Sequence, residues 1–313
     1  MSDSAVTFSA EELARGAGGR WTDGRGTAVS GVFTDTRQDG SGRLFIALSG
    51  ENFDAHDFLP AAVSAGAAAL CVAESKLGRL PEPCPVPVLA VADPLRSYQG
   101  IARLHRRRFP ELTVAAVTGS VGKTSVKEML RAIFTAAAGA ERVLYTVGNT
   151  NNQVGVPQNL LRLQPQHRFA VIEMGTNHHG EIEPLSCCAL PQVALVNSIA
   201  PCHLEFLGSL EGIAREKSRI FSGLPADGTA VIPRSCPAVE VLAEAAAPFR
   251  LLRFGEGSGC AVEAHYCGGR LEGSSFELRF ADGERFEISW SLTGRHQAVN
   301  AAAAAAAALA AGI

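Results

Sequence analysis

Hydrophobic residues in the second half of the chain form short apolar runs separated by amphipathic segments. Runs with the character of strands lie at 113–117, 169–174, 193–197 and 229–232, and helical spacing appears at 123–137 and 210–221. Strands that alternate with helices are typical of a mainly parallel sheet covered by helices on both faces. The pattern therefore predicts an α/β domain over residues 93–313.

The first part of the chain repeats this alternation on a smaller scale. Strand-like runs at 44–48, 70–73 and 86–91 accompany a helical segment at 58–65. Pro94 can begin the next helix, because proline fits the first helical position. We predict a separate small α/β domain over residues 1–92, with the boundary near Ala92.

Residues 260–290 have a different pattern, in which apolar and polar positions alternate with a period of two. Glycine-containing turn signals at 268–269 and 282–283 interrupt this alternation. Such a pattern predicts antiparallel hairpins. An alanine-rich helix is predicted after them, at 301–311.

Composition and charge exclude several classes of protein. The chain has 313 residues, 47% of them hydrophobic, and a formal net charge of −3, which is enough apolar material for two cores but gives no electrostatic footprint for nucleic acid. We interpret the basic run at 106–108 as a solvated helix end. Neither a signal peptide nor a bilayer-spanning stretch is evident, so we expect a cytoplasmic protein without membrane insertion. The eight cysteines lack zinc-like spacing, which favours reduced thiols.

The most informative motif joins the strand at 113–117 to the helix that follows. Its glycines let backbone N–H groups approach an anion, and the start of the helix adds the positive end of its dipole. Lys123 would neutralise the terminal phosphates of a nucleotide, and the Thr124 hydroxyl would bind Mg²⁺. Val117 stands where the general P-loop pattern has a glycine, so a plain strand–helix turn remains an alternative. The predicted nucleotide-binding residues are Thr118, Gly119, Ser120, Val121, Gly122, Lys123, Thr124 and Ser125.

Three further polar residues follow predicted strands or lie on the next helix. Glu173 ends a strand, where open α/β sheets collect ligand-binding groups, and a carboxylate there can hold Mg²⁺. His203 follows the next strand, and Lys217 lies on the helix after it. Each has a structural alternative: a hydrogen-bonded carboxylate at a strand end, a histidine bonded within a loop, and a surface lysine.

The segment at 148–157 is rich in amide side chains, among them Asn149, Asn151 and Asn152. Amides both donate and accept hydrogen bonds, which suits a substrate with phosphates, hydroxyls and peptide groups. A plain turn is the alternative.

Together these motifs resemble the Mur ligases, the ATP-dependent amide-forming enzymes of peptidoglycan precursor synthesis. The family's phosphate-binding motif reads T-G-S-x-G-K-T, so Val117 is compatible with it. The amide-rich loop, the segment Glu-Met-Gly-Thr-Asn at 173–177, the His-Leu-Glu at 203–205 and the lysine-bearing helix at 215–221 resemble further family motifs.

The N-terminal segment resembles one branch of the family in particular. Residues 34–37 and 44–58 are similar to the uridine-nucleotide half of the member that adds D-Ala-D-Ala to UDP-MurNAc-tripeptide. The resemblance implies those two substrates as partners, no nucleic acid, and a monomeric state. The substrate-binding residues that it implies are Thr34, Asp35, Thr36, Arg37, Asn52, Asp54, His56, Asn149, Asn151 and Asn152.

The resemblance also implies a mechanism and its cofactors. The carboxylate of the tripeptide attacks the γ-phosphate of ATP, and the amine of D-Ala-D-Ala then displaces the acyl phosphate. One Mg²⁺ ion would bind Thr124 and Glu173, and a second would bind His203 and a carbamylated Lys217. Lys123, His203 and Lys217 are therefore the implied catalytic residues.

Two departures from the family leave alternatives open. The nucleobase-contacting motif G-x-H-N-x-x-N reads Gly-Arg-His-Gln-Ala-Val-Asn at 294–300, so Gln297 replaces an asparagine while Asn300 still matches as a nucleotide contact. The family's C-terminal Rossmann-like domain is expected to be absent. The alternatives are a fragment that binds UDP-MurNAc-peptide and ATP without catalysis, or a related ligase that adds a diamino acid or extends folylpolyglutamate. Among the related ligases, the segment 34–58 favours one whose substrate is a UDP sugar.

Overall fold

A computed structural model describes residues 6–50, 53–270 and 273–313 of the chain. The chain divides into two compact units, Met1–Arg108 and Phe109–Ile313. The boundary lies later than the predicted one near Ala92, because the helix Pro94–Arg106 packs on the helix Ala10–Ala17 and so belongs to the first unit. A glycine in each helix permits this contact, since a Cβ on Gly100 would lie 2.1 Å from the carbonyl oxygen of Gly16.

The N-terminal unit is a small sheet with helices. Its described strands are β1 Arg20–Trp21, β2 Val32–Phe33, β3 Leu44–Ile46, β4 Ser49–Gly50, β5 Phe53–Asp54, β6 Ala69–Ala73 and β7 Val88–Val91, and its described helices are α1 Ala10–Ala17, α2 Leu59–Ser64 and α3 Pro94–Arg106. The main sheet has the order β1-β7-β6-β3-β2, in which β1 is antiparallel to β7 and the other pairs are parallel. β4 and β5 form a separate antiparallel pair.

The basic run at 106–108 is only in part the solvated helix end that its composition predicts, since Arg107 is exposed whereas Arg106 is buried. Arg106 is only 3% exposed, and burial lowers its pKa to about 10. Arg108 donates to Glu12 Oε1 at 2.7 Å and to the carbonyl oxygen of Thr7 at 2.9 Å. The run therefore attaches the end of α3 to the start of the unit.

The C-terminal unit is built on a larger sheet. Its described strands are β8 Thr113–Thr118, β9 Val143–Tyr145, β10 Phe169–Glu173, β11 Val193–Val196, β12 Thr229–Pro233, β13 Arg250–Gly255, β14 Val262–Arg270, β15 Gly273–Phe280 and β16 Arg285–Trp290. Its described helices are α4 Lys123–Ala138, α5 Gly155–Leu160, α6 Ile182–Ala189, α7 Leu204–Leu207, α8 Leu210–Ser218, α9 Val239–Ala246 and α10 Arg295–Ala310.

Strand order in this unit places β8 between β10 and β11. The order is β9-β10-β8-β11-β12-β13-β14-β15-β16, parallel as far as β14 and antiparallel across the last three strands. The predicted fold class is confirmed: a small α/β unit precedes a mainly parallel sheet with helices and an antiparallel hairpin region.

The alanine-rich helix α10 lies in the core of the C-terminal unit. It packs against α4 and against strands from β11 to β15, and residues 301–308 are all buried. A helix that is apolar on every side is stable only when buried, and alanine lets its neighbours approach closely. The helix begins at Arg295, six residues before the predicted start. The prediction missed these residues because they are mostly polar and do not belong to the alanine-rich run.

Several short elements were not predicted from the hydrophobic pattern. These are α1, α5, α6, α9, β9 and β13. None of the helices in the described ranges combines the length and hydropathy that crossing a bilayer requires.

Candidate active site

Three neighbouring strands end at one edge of the larger sheet. β10 and β11 flank β8, with Glu173 opposite Val117 and Val196 opposite Thr118. Ligands in open α/β sheets bind at the carboxyl ends of strands where the strand order reverses. The phosphate-binding motif, Glu173 and the segment after β11 therefore meet at one place.

A cavity of about 580 Å³ opens at this edge. It brings together residues from the motif after β8, the amide-rich loop, the end of β10 and the segment after β11. Its lining residues are Lys123, Thr124, Asn149, Asn151, Asn152, Gln153, Val154, Glu173, Gly175, Thr176, Asn177, Glu181 and His203.

The turn that precedes α4 depends on Gly122. This residue has φ +79°, and a Cβ on it would lie 2.6 Å from Asn197 Nδ2 and 2.7 Å from Asn300 Oδ1. The turn is held from the other side by the segment after β11, since Ser120 N–H donates to the Ser198 carbonyl at 2.9 Å and Val121 N–H donates to Ser198 Oγ at 3.0 Å. Its backbone is therefore fixed before any ligand binds.

Lys123 lies at the start of α4 with its side chain folded over the turn. Its Nζ donates to the Gly119 carbonyl at 2.8 Å. Burial lowers the pKa of Lys123, while the negative charge of Glu173 acts in the opposite direction. The adjacent Thr124 is exposed to the cavity and Ser125 is half-buried, whereas Thr118 is fully buried and donates to the Met174 carbonyl.

Glu173 is a buried carboxylate with one hydrogen-bonded oxygen. It is 1% exposed, and Oε1 accepts from Asn151 Nδ2 at 2.8 Å and lies 3.4 Å from Thr124 Oγ1. Oε2 has no hydrogen-bond partner within the described ranges. A hydroxyl beside a carboxylate that has one unpartnered oxygen fits Mg²⁺, which is commonly held by one or two carboxylates together with phosphates and water.

No cluster of three histidine, cysteine, aspartate or glutamate side chains suited to a metal occurs in the part of the chain that the structure describes. His203 is exposed, lines the cavity and has φ +50° at the start of α7. Its main-chain carbonyl accepts from Phe206 N–H and Leu207 N–H. The cavity lining thus includes an imidazole as well as the oxygens of Thr124 and Glu173.

Lys217 is buried on α8 rather than lying on the surface. It is 1% exposed. Burial lowers its pKa to about 8, and the positive charge of Lys123 acts in the same direction. A lysine with this pKa is partly neutral near neutral pH, so its amine can act as a nucleophile.

The neighbouring residue, Glu216, was not identified from the sequence. Its Oε2 accepts from Gly180 N–H at 2.8 Å, and its Oε1 accepts from the N–H groups of Glu181 and Ile182 at 3.0 and 2.9 Å. A carboxylate is favourable at a helix start, so Glu216 holds α8 against the beginning of α6. The partners lie 34 to 36 residues away, beyond the reach of any local pattern.

Asn300 lies beneath the phosphate-binding turn. It is 6% exposed, its Oδ1 accepts from Asn197 Nδ2 at 3.0 Å, and its Nδ2 donates to Gln297 Oε1 at 3.2 Å. Asn197 Nδ2 also donates to the Val121 carbonyl. The structure therefore shows Asn300 bonded beneath the turn, and its contact with the nucleotide stays a prediction.

A second cavity, of about 520 Å³, belongs to the N-terminal unit. Its lining residues are Thr34, Asp35, Thr36, Arg37, Phe45, Phe53, Ala55 and Phe58. Hydrogen bonds from Arg37 lower the pKa of Asp35 to about 2. Phe53 and Phe58 stack with ring centroids 5.6 Å apart, and both are substantially exposed at 55% and 43%.

Asp54 and His56 have internal partners instead of lining this cavity. Ala73 N–H donates to His56 Nε2 at 3.1 Å, so Nδ1 carries the ring proton and donates to Asp54 Oδ1 at 2.6 Å. Partial burial alone would raise the pKa of Asp54, but hydrogen bonds from Lys76 and His56 hold it well below its usual range. His56 is 1% exposed and bonded inside the unit, and the substrate contact at His56 stays a prediction. Asn52 lies outside the described residues.

Comparisons with known proteins agree on one family. The Mur ligase middle domain model matches residues 117–308. A UDP-N-acetylmuramoyl-tripeptide--D-alanyl-D-alanine ligase from Haemophilus influenzae is 41% identical over 282 residues, which is 90% of this chain and 60% of that protein. The chain thus spans about 60% of the length of this relative.

Solved structures give the same result. The crystal structure of MurF from Acinetobacter baumannii aligns with a TM-score of 0.90 at 34% identity, covering 99% of this chain and 66% of that one. MurF ligase from Thermotoga maritima, in complex with ADP, aligns with a TM-score of 0.75 at 26% identity, covering 90% of this chain and 63% of that one.

Proposed function

This chain belongs to the Mur ligase family, and from that premise we propose that it acts in the ATP-dependent addition of D-Ala-D-Ala to UDP-MurNAc-tripeptide. The observation that carries the proposal is the cavity that gathers Lys123, Thr124 and Glu173 at the carboxyl ends of adjacent strands. The proposal places the reaction in the cytoplasm, with the chain acting as a monomer.

The C-terminal unit would bind ATP at the turn before α4. The N–H groups at the start of α4 would bind the phosphates, and Lys123 would exchange its bond to the Gly119 carbonyl for the terminal phosphate oxygens. Thr124 and Glu173 would hold Mg²⁺, which neutralises negative charge on the phosphates when bound. The complex of the Thermotoga relative with ADP supports this assignment.

Lys217 would serve as a ligand only after modification. With a pKa of about 8, its neutral amine can add to CO₂, forming an N–C bond and releasing the amine proton to water. The resulting carbamate is an anion, so it reverses the charge of the side chain. Carbamylated Lys217 and His203 would together hold a second Mg²⁺.

The reaction itself needs positioning more than covalent help from the protein. The terminal carboxylate of the tripeptide attacks the γ-phosphorus of ATP, and ADP leaves with the electrons of the broken P–O bond. The amine of D-Ala-D-Ala then attacks the acyl phosphate, forming the amide and releasing phosphate and a proton. Lys123 would stabilise the charge that develops on the transferred phosphoryl group.

The cavity of the N-terminal unit would hold the uridine nucleotide. The exposed rings of Phe53 and Phe58 offer apolar faces for a base, and Arg37 offers a guanidinium for the diphosphate. Thr34 and Thr36 add hydroxyl groups at the same cavity. This combination supports a nucleoside diphosphate sugar as the ligand.

An ADP-formation assay tests this function. We expect Mg²⁺-dependent ADP release that requires UDP-MurNAc-tripeptide and continues to amide product when D-Ala-D-Ala is present, with each substrate omitted in turn as a control. Lys123→Ala should abolish ADP release, because the terminal phosphates lose their cation. Wild-type-like ADP release by Lys123→Ala would contradict the assignment of this cavity.

A further inference from the structure

The amide-rich loop between β9 and α5 carries three asparagines with different partners. Asn152 Oδ1 accepts from the N–H groups of Val154 and Gly155 at 3.2 and 2.9 Å, just before α5. Asn149 is exposed, and its Oδ1 accepts from Asn151 at 3.0 Å. Of these three side chains, Asn151 is the one that donates to Glu173, at 2.8 Å.

The backbone on both sides of this contact is also fixed. Gly175 N–H donates to the Asn151 carbonyl at 2.8 Å, and a Cβ on Gly175 would lie 2.9 Å from Asn151 Oδ1. Glu173 N–H donates to Thr146 Oγ1 at 3.0 Å. The Asn151 amide and the Glu173 carboxylate therefore meet between two anchored segments.

Because of this contact, the two carboxylate oxygens of Glu173 differ in their hydrogen bonding. An ionised carboxylate only accepts hydrogen bonds, and Asn151 supplies the short one to Oε1. Oε2 is buried and has no partner in the described part of the protein. Without the Asn151 amide, the carboxylate could rotate about its last torsion, which is broad for such a group.

We propose that Asn151 is a positioning residue, which holds Glu173 through Oε1 so that Oε2 is available to the divalent cation, and that it does not bind substrate directly. This assignment rests on the proposed function, which supplies the cation and the nucleotide. It replaces the substrate-binding role that the sequence resemblance implied for Asn151. Partners that orient a metal ligand typically contribute about 10- to 100-fold to metal affinity.

Two binding measurements separate this role from a structural one. Mn²⁺ binding is followed by electron paramagnetic resonance with saturating ADP, and binding of the fluorescent analogue mant-ADP is followed in EDTA. In Asn151→Ala and the similarly sized Asn151→Leu, we expect Mn²⁺ affinity to fall about 10- to 100-fold, with mant-ADP affinity in EDTA unchanged. The backbone bond from Gly175 survives in both variants.

Asn152→Ala is the matched control, since it removes the same amide from the same loop. It should lower the melting temperature through loss of the two hydrogen bonds that Asn152 Oδ1 accepts, while Mn²⁺ affinity stays unchanged. Wild-type Mn²⁺ affinity in both Asn151 variants would overturn the assignment, as would a parallel loss of mant-ADP affinity in EDTA. A wild-type protein that binds neither probe would reject the proposed function as well.

Discussion

Residue type alone does not decide what a side chain does in this protein. Lys123 and Lys217 are both lysines on helices, yet Lys123 lines the cavity and Lys217 is buried on α8. Lys217 has the pKa of about 8 because desolvation disfavours its charged form and the charge of Lys123 adds to that effect. An ordinary surface lysine is almost fully protonated near neutral pH.

The lowered pKa gives a pH-dependent prediction for Lys217. The fraction of neutral amine rises as pH increases through about 8, so carbamylation in ¹³C-bicarbonate should increase between about pH 7 and about pH 9. Nuclear magnetic resonance should detect a carbamate signal that is absent in Lys217→Met. A signal that persists in Lys217→Met, or that shows no increase over this range, would contradict the prediction.

At the scale of elements, the turn between β8 and α4 depends on contacts with β11 and α10. Gly122 adopts a left-handed conformation, which costs a residue with a Cβ about 1–2 kcal/mol. Its Cβ position is also occupied by the side chains of Asn197, which follows β11, and of Asn300, which lies in α10. The motif is therefore a local pattern whose geometry is completed by two distant elements.

Gly122→Ala should lower stability and nucleotide affinity by more than the cost of its left-handed backbone conformation alone. We expect a lower melting temperature and a loss of mant-ADP affinity of about 10-fold or more, because the new methyl group displaces the Asn197 and Asn300 side chains. Gly283→Ala is the matched control, since Gly283 has φ +98° with nothing within 4 Å of its Cβ position. Equal effects of the two variants in thermal denaturation and mant-ADP titration would contradict this explanation.

At the scale of the whole molecule, each unit has a cavity with its own chemistry. The N-terminal cavity combines aromatic rings with Arg37, and the C-terminal cavity combines Lys123, Thr124 and a carboxylate. Each set comes from segments within one unit. The proposed function therefore assigns the uridine nucleotide to one unit and ATP to the other.

This division predicts that single substitutions affect one nucleotide at a time. Arg37→Ala should lower affinity for UDP about 10- to 100-fold, as expected for loss of a charged hydrogen bond, and leave ADP affinity unchanged. Lys123→Ala should have the opposite pattern, and isothermal titration calorimetry measures both. Arg20→Ala is the control, because Arg20 is another exposed, ion-paired arginine of the N-terminal unit that does not line the cavity.

Loss of affinity for both nucleotides in Arg37→Ala would contradict the assignment. So would an equal loss of UDP affinity in Arg20→Ala, because it would indicate a general effect of positive charge on the unit.

Much of this architecture follows from the sequence. Periodicity predicted the strands at 113–117, 169–174, 193–197 and 229–232 and the helix after the phosphate-binding motif, and the structure confirms them within one or two residues. The same reasoning placed Glu173 and the motif at one edge of the sheet. These features depend on backbone geometry and on neighbours a few residues away, which a linear pattern records.

Contacts across the sequence required the tertiary structure. Asn197 and Asn300 are 103 residues apart and His56 and Ala73 are 17 residues apart, and Glu216 reaches a helix start 34 residues away. The sequence determined the strands and the helix that build the phosphate-binding edge of the sheet, and which residue types are available for chemistry there. Only the folded molecule decided which of those residues face a cavity and which are bonded inside, because strand order and helix packing choose each side chain's neighbours.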